Sequence, residues 1–358
     1  MPRILPAVLA LGAVALPSTA FGQVAATPPT PVAPTTATGS GYALETFWSG
    51  PSPNPAEANL QASVQPGVVA SAFGQVWVPD SRDGGVISVL DPASGALLAS
   101  HVIPGLPPAS AALMGGSWLW VAGHVGQRTV VMSLNSAGAT GPTFRAPTPS
   151  PNGGTALGDL YYGGIGLATG AGSLWVADQA AGRVYAISPS TGKLVRTIRV
   201  AAPRSVAVQG GRVWVTSTSS SSLRIFSAST GAAVRTVPMG GDSYVMAPAA
   251  GSMWVFTDAG ISGVGLRTLT RTKKPVATIE TSSGWAGAVA TSAGVWASNY
   301  GTQAVLFDPA TRRVLVNVSW NNDIAGGLAA VGTSAWVADG SLSSFPLGSG
   351  VTRITPTP

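Results

Sequence analysis

A tryptophan that follows a glycine by a few residues recurs seven times along the chain, in segments such as GQVWVPD, GSLWVAD and GTSAWVAD. The spacings between successive copies are 43, 55, 39, 40, 42 and 40 residues. A period of about 40 residues indicates a repeat architecture, which constrains the fold more than any single element does. The chain therefore consists of seven copies of one unit with one insertion. The aligned residues are Trp77, Trp120, Trp175, Trp214, Trp254, Trp296 and Trp336.

Every unit has the same internal order, which is clearest in residues 172–198, GSLWVADQAAGRVYAISPSTGKLVRTI. Each unit begins with an apolar run and a glycine turn. The Trp strand comes next, followed by a polar turn, another strand, a Ser-Thr-Gly turn and a last strand. Four short strands joined by tight turns form an antiparallel sheet, and such sheets at this period are typical of propeller blades. The sequence predicts an all-β fold, a seven-bladed β-propeller of four-stranded antiparallel blades, over residues 41–358.

The two ends of the repeat predict how the ring closes. The last unit begins near Gly326, and its outer strand comes either from residues 351–354 or from residues 42–48. Closing the ring covers the two end faces that an open array would leave exposed. The long spacing between Trp120 and Trp175 predicts a surface excursion outside the sheet at residues 139–164, which are rich in Pro and Gly.

The amino-terminal segment has the features of an export signal. Residues 1–22 place Arg3 before an apolar stretch and end in small residues, which is typical of a secretory signal peptide; an uncleaved anchor is the alternative. No later run of 18 apolar residues follows, so we expect no transmembrane anchor in the mature chain. Residues 23–40 are rich in Pro, Thr and Ala and predict a disordered linker. We expect a secreted protein, extracellular or periplasmic, that holds no disulfide because it has no cysteine.

The repeat in residues 172–198 resembles that of secreted bacterial propellers of the YVTN and NHL type and of the streptogramin (virginiamycin B) lyase-like group. The resemblance covers about residues 61–355 and implies the propeller fold, whereas such propellers host binding scaffolds, lyases and lactonases alike. For the lyases it implies a histidine, a glutamate and a divalent metal near the axis. The two histidines here, His101 and His124, have no glutamate beside them within a repeat, so we do not expect this chemistry to carry over.

An oxygen-bearing side chain stands three residues after the aligned Trp in six of the seven units. Such side chains at strand ends accept hydrogen bonds from the backbone of the next turn. Because the side chains recur in nearly every blade, a structural role in the turn explains them better than a single binding site does. The alternative is a Ca²⁺ or Mg²⁺ site formed by Asp178, Asn299 and Asp339 at the axial face, as a lyase or lactonase-type enzyme would require. The seven positions are Asp80, Gly123, Asp178, Ser217, Thr257, Asn299 and Asp339.

The residues that begin the innermost strands predict a ligand site. Large side chains stand there in three consecutive units, namely Arg204, Tyr244 and Trp285. The resemblance implies that the turns after the Trp strands open on the same face, which adds Asn299 and Tyr300. Aromatic rings beside an Arg and an Asn suit a sugar ring or a flat polar ligand; alternatively, the aromatic rings fill the tunnel. We therefore expect a non-catalytic binding or interaction module, without a cofactor, for a small molecule, glycan or protein partner.

The chain has a net charge of +6, and ten of its basic residues lie in or beside the last strand of successive units, on the predicted outer rim. Charged residues there protect edge strands from pairing with other chains, and the alternative is attraction to an anionic cell-envelope polymer. Nucleic acid is not an expected partner, because the chain is exported and no aromatic residues alternate with the basic ones. We expect a monomer. The rim residues are Lys193, Arg196, Arg199, Arg235, Arg267, Arg271, Lys273, Lys274, Arg312 and Arg313.

Overall fold

The protein is described by a computed structural model. It covers residues 35–39, 41–47, 68–79, 85–149, 164–272, 275–277, 284–299, 303–319, 327–339 and 350–357. Within these ranges the chain forms strands and turns but no helix, so no helix there is long and apolar enough to cross a bilayer.

The strands form seven sheets, one for each repeat unit. The amino-terminal strands are β1 (Thr35–Gly39) and β2 (Tyr42–Thr46). Blade 1 contains β3 (Ala70–Ala72), β4 (Gln75–Pro79), β5 (Val86–Leu90) and β6 (Leu97–Val102). Blade 2 contains β7 (Ala109–Gly115), β8 (Trp118–Val125), β9 (Arg128–Leu134) and β10 (Thr140–Arg145). Blade 3 contains β11 (Ile165–Gly170), β12 (Ser173–Asp178), β13 (Arg183–Ile187) and β14 (Leu194–Arg199).

The remaining blades follow the same order. Blade 4 contains β15 (Pro203–Gln209), β16 (Arg212–Ser217), β17 (Ser222–Ser227) and β18 (Ala233–Pro238). Blade 5 contains β19 (Ser243–Ala249), β20 (Ser252–Thr257) and β21 (Gly260–Gly265). Blade 6 contains β22 (Trp285–Thr291), β23 (Gly294–Asn299), β24 (Gln303–Asp308) and β25 (Arg313–Ser319). Blade 7 contains β26 (Leu328–Val331), β27 (Ser334–Asp339) and β28 (Gly350–Pro356).

The blades are antiparallel meanders arranged as a closed ring. Within each blade the strands pair in chain order, and the first strands of consecutive blades contact one another, including those of blades 7 and 1. The fourth position of blade 5 is irregular: among the described residues there, Arg271 and Ala277 each make an isolated bridge to β21. The predicted seven-bladed β-propeller is therefore confirmed.

Both termini contribute to blade 7, whose strand order is β1-β2-β28-β27-β26. The two segments that the sequence offered as alternatives are both used, with β28 in third place and β2 in fourth. The prediction of a linker through residue 40 is wrong for Thr35–Gly39, which pair with Tyr42–Thr46. The segment TTATG contains no proline, so each of its N–H groups is available for strand pairing.

The seven tryptophans of the repeat form the core between the blades, and none is more than 3% exposed. Each indole packs against the second strand of the following blade: Trp175 lies with Val213 and Val215 of blade 4. Trp336 of blade 7 lies in the same way against blade 1, with Val76 and Val78. A single four-stranded sheet would leave both of its apolar faces exposed to solvent, so each blade requires a neighbour on either side.

The predicted excursion at residues 139–164 is wrong in its first part. Thr140–Arg145 form β10, the outer strand of blade 2, and Phe144 on it is only 4% exposed. Burial of Phe144 against Tyr185 of blade 3, with ring centroids 5.5 Å apart, outweighs the turn-forming composition of the segment. Residues 150–163 lie outside the described part of the chain.

Candidate functional site: the axial cavity

A cavity of about 250 Å³ lies on the propeller axis, lined by residues in or directly before the inner strand of every blade. These strands have no partner on their axial side, so their backbone N–H and C=O groups along that edge face the cavity. Most of the lining side chains are small or aliphatic. Arg204 is the one charged residue among the described residues that line it.

Bulges in the inner strands aim particular side chains at the cavity mouth. The register shifts between Ala109 and Ala111 in β7, between Ser243 and Val245 in β19, and between Trp285 and Gly287 in β22. A bulge leaves one residue unpaired and turns its side chain away from the ladder. Cavity-lining residues occupy the skipped positions, which are Ser110, Arg204, Ser205, Tyr244 and Ala286.

Arg204 carries a positive charge at this mouth while being only 8% exposed. Its Nη1 donates a hydrogen bond to Oε1 of Gln179 at 3.2 Å, and Nε2 of Gln179 donates to the Thr218 hydroxyl at 3.4 Å. Burial lowers the pKa of Arg204 to about 10, so the guanidinium remains protonated at neutral pH. A Cβ atom at Gly164 would lie 2.9 Å from Nη1, so the absence of a side chain there leaves room for the guanidinium.

Tyr244 stands in the neighbouring blade and is partly exposed. Burial, together with the carboxylates of Asp242 and Asp258, raises the pKa of Tyr244, so its hydroxyl is protonated at neutral pH and can donate a hydrogen bond. A Cβ at Gly284 would lie 2.8 Å from the Tyr244 ring, so the ring also rests on a glycine. The mouth thus combines a cation, a phenol and free backbone edges.

The buried hydroxyl of Thr216 joins the two strands that carry these side chains. Its Oγ1 accepts a hydrogen bond from the backbone N–H of Ser205 at 3.0 Å and donates to the backbone carbonyl of Tyr244 at 3.2 Å. Thr216 is fully buried. The sequence did not predict a role for Thr216 or for Gln179, since threonine is ordinary in a strand and only the bulge of β15 gives its hydroxyl this position.

The structure brings two of the five predicted site residues, Arg204 and Tyr244, to one cavity. Trp285 is fully buried in the layer between blades 5 and 6, where its ring contacts Phe256 at 5.2 Å and its Nε1 donates to the Thr257 carbonyl at 3.1 Å. Placing it on the binding face was wrong, because the bulge makes Ala286, not Trp285, the counterpart of Tyr244. Tyr300 lies outside the described residues.

Asp178, Thr257 and Asn299 make the contacts that the turn interpretation predicts, whereas the Ser217 hydroxyl donates to the Ala201 carbonyl. Asp178 Oδ1 accepts from the N–H of Ala181 at 2.8 Å, and Asn299 Oδ1 accepts from the N–H of Gln303 at 2.9 Å. These two residues belong to blades 3 and 6, which are not neighbours. The side chain of Asp339 and all of Asp80 lie outside what is described, and elsewhere no three His, Cys, Asp or Glu residues are grouped to hold a metal ion.

The rim residues divide into two groups. Arg196 Nη1 donates to the carbonyl of Ala228 in blade 4 at 2.7 Å, and Arg271 Nη1 donates to the carbonyl of Pro238 at 3.3 Å, so both cross to a neighbouring blade. Lys193, Arg199, Arg235, Arg267, Arg312 and Arg313 are exposed. Lys273 and Lys274 lie outside the described residues.

Comparison with known proteins supports the fold. No protein-family model matches the chain, and no curated protein matches its sequence. Its structure is similar to that of BamB from Moraxella catarrhalis, with a TM-score of 0.55 and 15% identity over 90% of this chain and 94% of BamB. It is also similar to the WD40 repeats of RRP9, with a TM-score of 0.65 and 11% identity over 90% and 100% of the two chains. U3-55K gives a TM-score of 0.62 and 12% identity over 83% and 96%. At such identities the likeness shows the propeller fold alone.

Proposed function

We propose that the protein is a non-catalytic binding module that takes a small polar ligand with an anionic oxygen group into the axial cavity. The observation that carries this proposal is the pair of bulged inner strands that place Arg204 and Tyr244 at one mouth of the cavity. A guanidinium in a site partly shielded from water binds carboxylate or phosphate oxygens strongly and with defined geometry. The Tyr244 hydroxyl and the backbone N–H groups supply further donors.

A ligand screen with matched variants tests the proposal. Small carboxylates and phosphates are screened by thermal shift, and the ligand that raises the melting temperature most is titrated by calorimetry. Arg204→Gln should weaken its binding by about tenfold to a hundredfold, the equivalent of losing a charge-assisted hydrogen bond. Arg199→Gln, at an exposed residue of the rim, should leave binding unchanged.

Tyr244→Phe provides a second variant that removes only a hydroxyl and should fold normally. It should weaken the same ligand by several-fold. If no anion in the screen binds, or if the best ligand binds Arg204→Gln as tightly as the wild type, the axial proposal fails.

We infer that the chain is exported by its amino-terminal segment and that its repeat belongs with the YVTN, NHL and streptogramin lyase-like group. The features of residues 1–22 and the segment GSLWVADQAAGRVYAISPSTGKLVRTI support these inferences. Mass spectrometry of the protein recovered from the host envelope or medium would show cleavage near residue 22, and an intact amino terminus would contradict export by a cleaved signal.

The exposed basic residues of the rim support attraction to an anionic cell-envelope polymer. Binding of lipoteichoic acid should weaken steeply as salt rises, and should weaken further when Arg199, Arg235 and Arg267 are all changed to glutamine. Binding that is insensitive to both changes would contradict this role for the rim.

A further inference from the structure

A second cavity, of about 340 Å³, opens between blades 2 and 3, and we refer to it as the Trp118 groove. It is formed by residues 115–118 of blade 2 and by residues 169–170, 172–173 and 189–190 of blade 3. These are the turns that follow the first and third strands of a blade. Because the strands are antiparallel, such turns lie on the face opposite to the one where the inner strands begin, so the groove is separate from the axial mouth.

The seven repeats serve as an internal comparison for this groove. Trp118 stands two residues before the aligned Trp120, on the same side of the strand. No other unit has an aromatic residue at that position. The other six residues are Gln75, Ser173, Arg212, Ser252, Gly294 and Ser334. A side chain required in every blade would recur in each unit, as the aligned Trp does, so an aromatic residue at this position is specific to blade 2.

The outer strands of blade 2, the blade that carries Trp118, accept this indole. The ring lies across blade 2 over Gly141 of β10, where a Cβ atom would come within 2.5 Å of Trp118 Cη2. Beside it, the Ser133 hydroxyl is turned away to donate to the carbonyl of Pro142 at 2.9 Å. Trp118 packs partly against the apolar layer between blades 2 and 3 and stays partly exposed at the groove.

The chemistry of the walls indicates the kind of ligand. Although the chain carries a net charge of +6, none of the described residues that line the groove is charged. The walls are mostly apolar, and the hydroxyl-bearing residues Ser117, Ser173 and Ser190 stand around the indole. The volume lies at the lower end of the roughly 300–1,000 Å³ range of small-molecule sites.

We propose that the Trp118 groove binds a neutral sugar ring, whose apolar face lies against the indole while its hydroxyls bond to the serines and the backbone. An aromatic face combined with a few directed polar groups is the arrangement that such a ligand needs, since one side of a pyranose is apolar and its edge is polar. An anionic ligand, by contrast, would find no charged partner among the described lining residues. This site does not depend on the axial proposal.

Binding is tested with the full chain and a panel of neutral disaccharides: maltose, cellobiose and N,N′-diacetylchitobiose. Saturation-transfer NMR detects weak binding, and calorimetry measures the affinity of the best sugar. Trp118→Ala should weaken that affinity by at least about tenfold, whereas Trp118→Phe, which keeps an aromatic face, should retain it within about threefold. Ser252→Ala, at the equivalent position of blade 5, is the matched control and should change nothing.

A second variant, which blocks the groove without removing the indole, controls for a loss of folding in Trp118→Ala. Ser190→Arg leaves the indole in place but puts a long charged side chain at the edge of the groove, and it should abolish sugar binding at an unchanged melting temperature. The proposal is overturned if no sugar of the panel binds, if binding survives both Trp118→Ala and Ser190→Arg, or if a proline-rich peptide binds the groove and the sugars do not.

Discussion

The hydroxyl of Thr216 couples the backbones that present Arg204 and Tyr244 to the axial cavity. Thr216→Val keeps the shape of the side chain but deprives the Ser205 N–H and the Tyr244 carbonyl of their partner. We expect the free energy of unfolding to fall by about 1–3 kcal/mol, because buried polar groups are left unsatisfied, and the anionic ligand to bind more weakly. Urea denaturation and calorimetry measure the two effects.

Thr216→Ser is the control for this change, since it keeps the hydroxyl and removes only a methyl group. It should retain ligand affinity and most of the stability. Equal ligand affinity in the valine variant and the wild type would show that Thr216 does not position the mouth.

Asp178 makes stability depend on pH at the layer between blades 2 and 3. Burial alone raises the pKa of its carboxyl, but the His124 imidazole, with Nε2 4.0 Å from Oδ1, and hydrogen bonds from Thr129 and the Ala181 N–H outweigh burial and leave the pKa below its ordinary value of 3.8. A carboxyl whose pKa is lowered by folding stabilises the fold above its unfolded pKa and loses that contribution as the pH falls through its folded pKa. The contribution of Asp178 should therefore be complete near neutral pH and decrease below about pH 4.

Asp178→Asn isolates this contribution. At neutral pH the variant should melt earlier than the wild type, by the equivalent of about 1–3 kcal/mol, because Thr129 and Ala181 lose a charged acceptor. The gap between the two melting temperatures should narrow as the pH is lowered toward about 3. A gap that stays constant or widens over that range would contradict a lowered pKa.

At the residue scale, the sequence singled out Arg204 and Tyr244, which the structure places at the axial cavity, because large side chains interrupt small ones at that point of the repeat. It misplaced Trp285 because repeat spacing counts residues, whereas a bulge moves the register by one without leaving a mark in composition. Thr216 was missed for the same reason: its role depends on which backbone group the bulge of β15 leaves beside it.

Among the strands, β28 holds the ring closed through Arg353. Its Nε donates to Oε2 of Glu45 on β2 at 2.6 Å, and its Nη1 donates to the carbonyls of Pro92 and Ala93 in blade 1 at 2.7 and 2.6 Å. The guanidinium also lies 5.0 Å from the centroid of the Phe47 ring. One side chain thus connects the third and fourth strands of blade 7 to the first blade.

Arg353→Ala should lower the free energy of unfolding by about 2–3 kcal/mol, because several hydrogen bonds to a charged donor and a cation–π contact are lost together. Chemical denaturation of the variant measures this loss. Arg313→Ala, at an exposed position of β25, should stay within about 0.5 kcal/mol of the wild type. A similar small effect for both variants would show that the connection between blades 7 and 1 does not depend on Arg353.

Strand order within the units could be predicted because turn residues separate the strands at the same offsets in every copy. The two strands that composition misjudged, β1 and β10, lie in segments rich in Thr, Pro and Gly, which are typical of linkers and loops. They form strands because each lies beside a strand with a free edge, where its backbone can pair: β1 pairs with β2, and β10 pairs with β9. Tertiary context of this kind overrides local preference.

The whole molecule is a ring of seven equivalent layers, each centred on one tryptophan, around an axial cavity. The residues shared by all the repeats do not determine which ligand this cavity binds. The repeat therefore predicts the ring, and the departures from it mark the sites. Arg204 and Tyr244 differ from the small residues at the axial cavity, and Trp118 differs from the small or polar residues two positions before the aligned Trp in the other units. Binding specificity in this account resides in these few side chains on a common scaffold.

A crystal structure with the anionic ligand that gives the largest thermal shift tests the central claim most directly. We expect the ligand in the axial cavity, with an anionic oxygen within hydrogen-bond distance of the Arg204 guanidinium, about 2.7–3.2 Å, and a second contact to the Tyr244 hydroxyl. The same ligand located on the outer rim or in the Trp118 groove, with the axial mouth left to solvent, would contradict it.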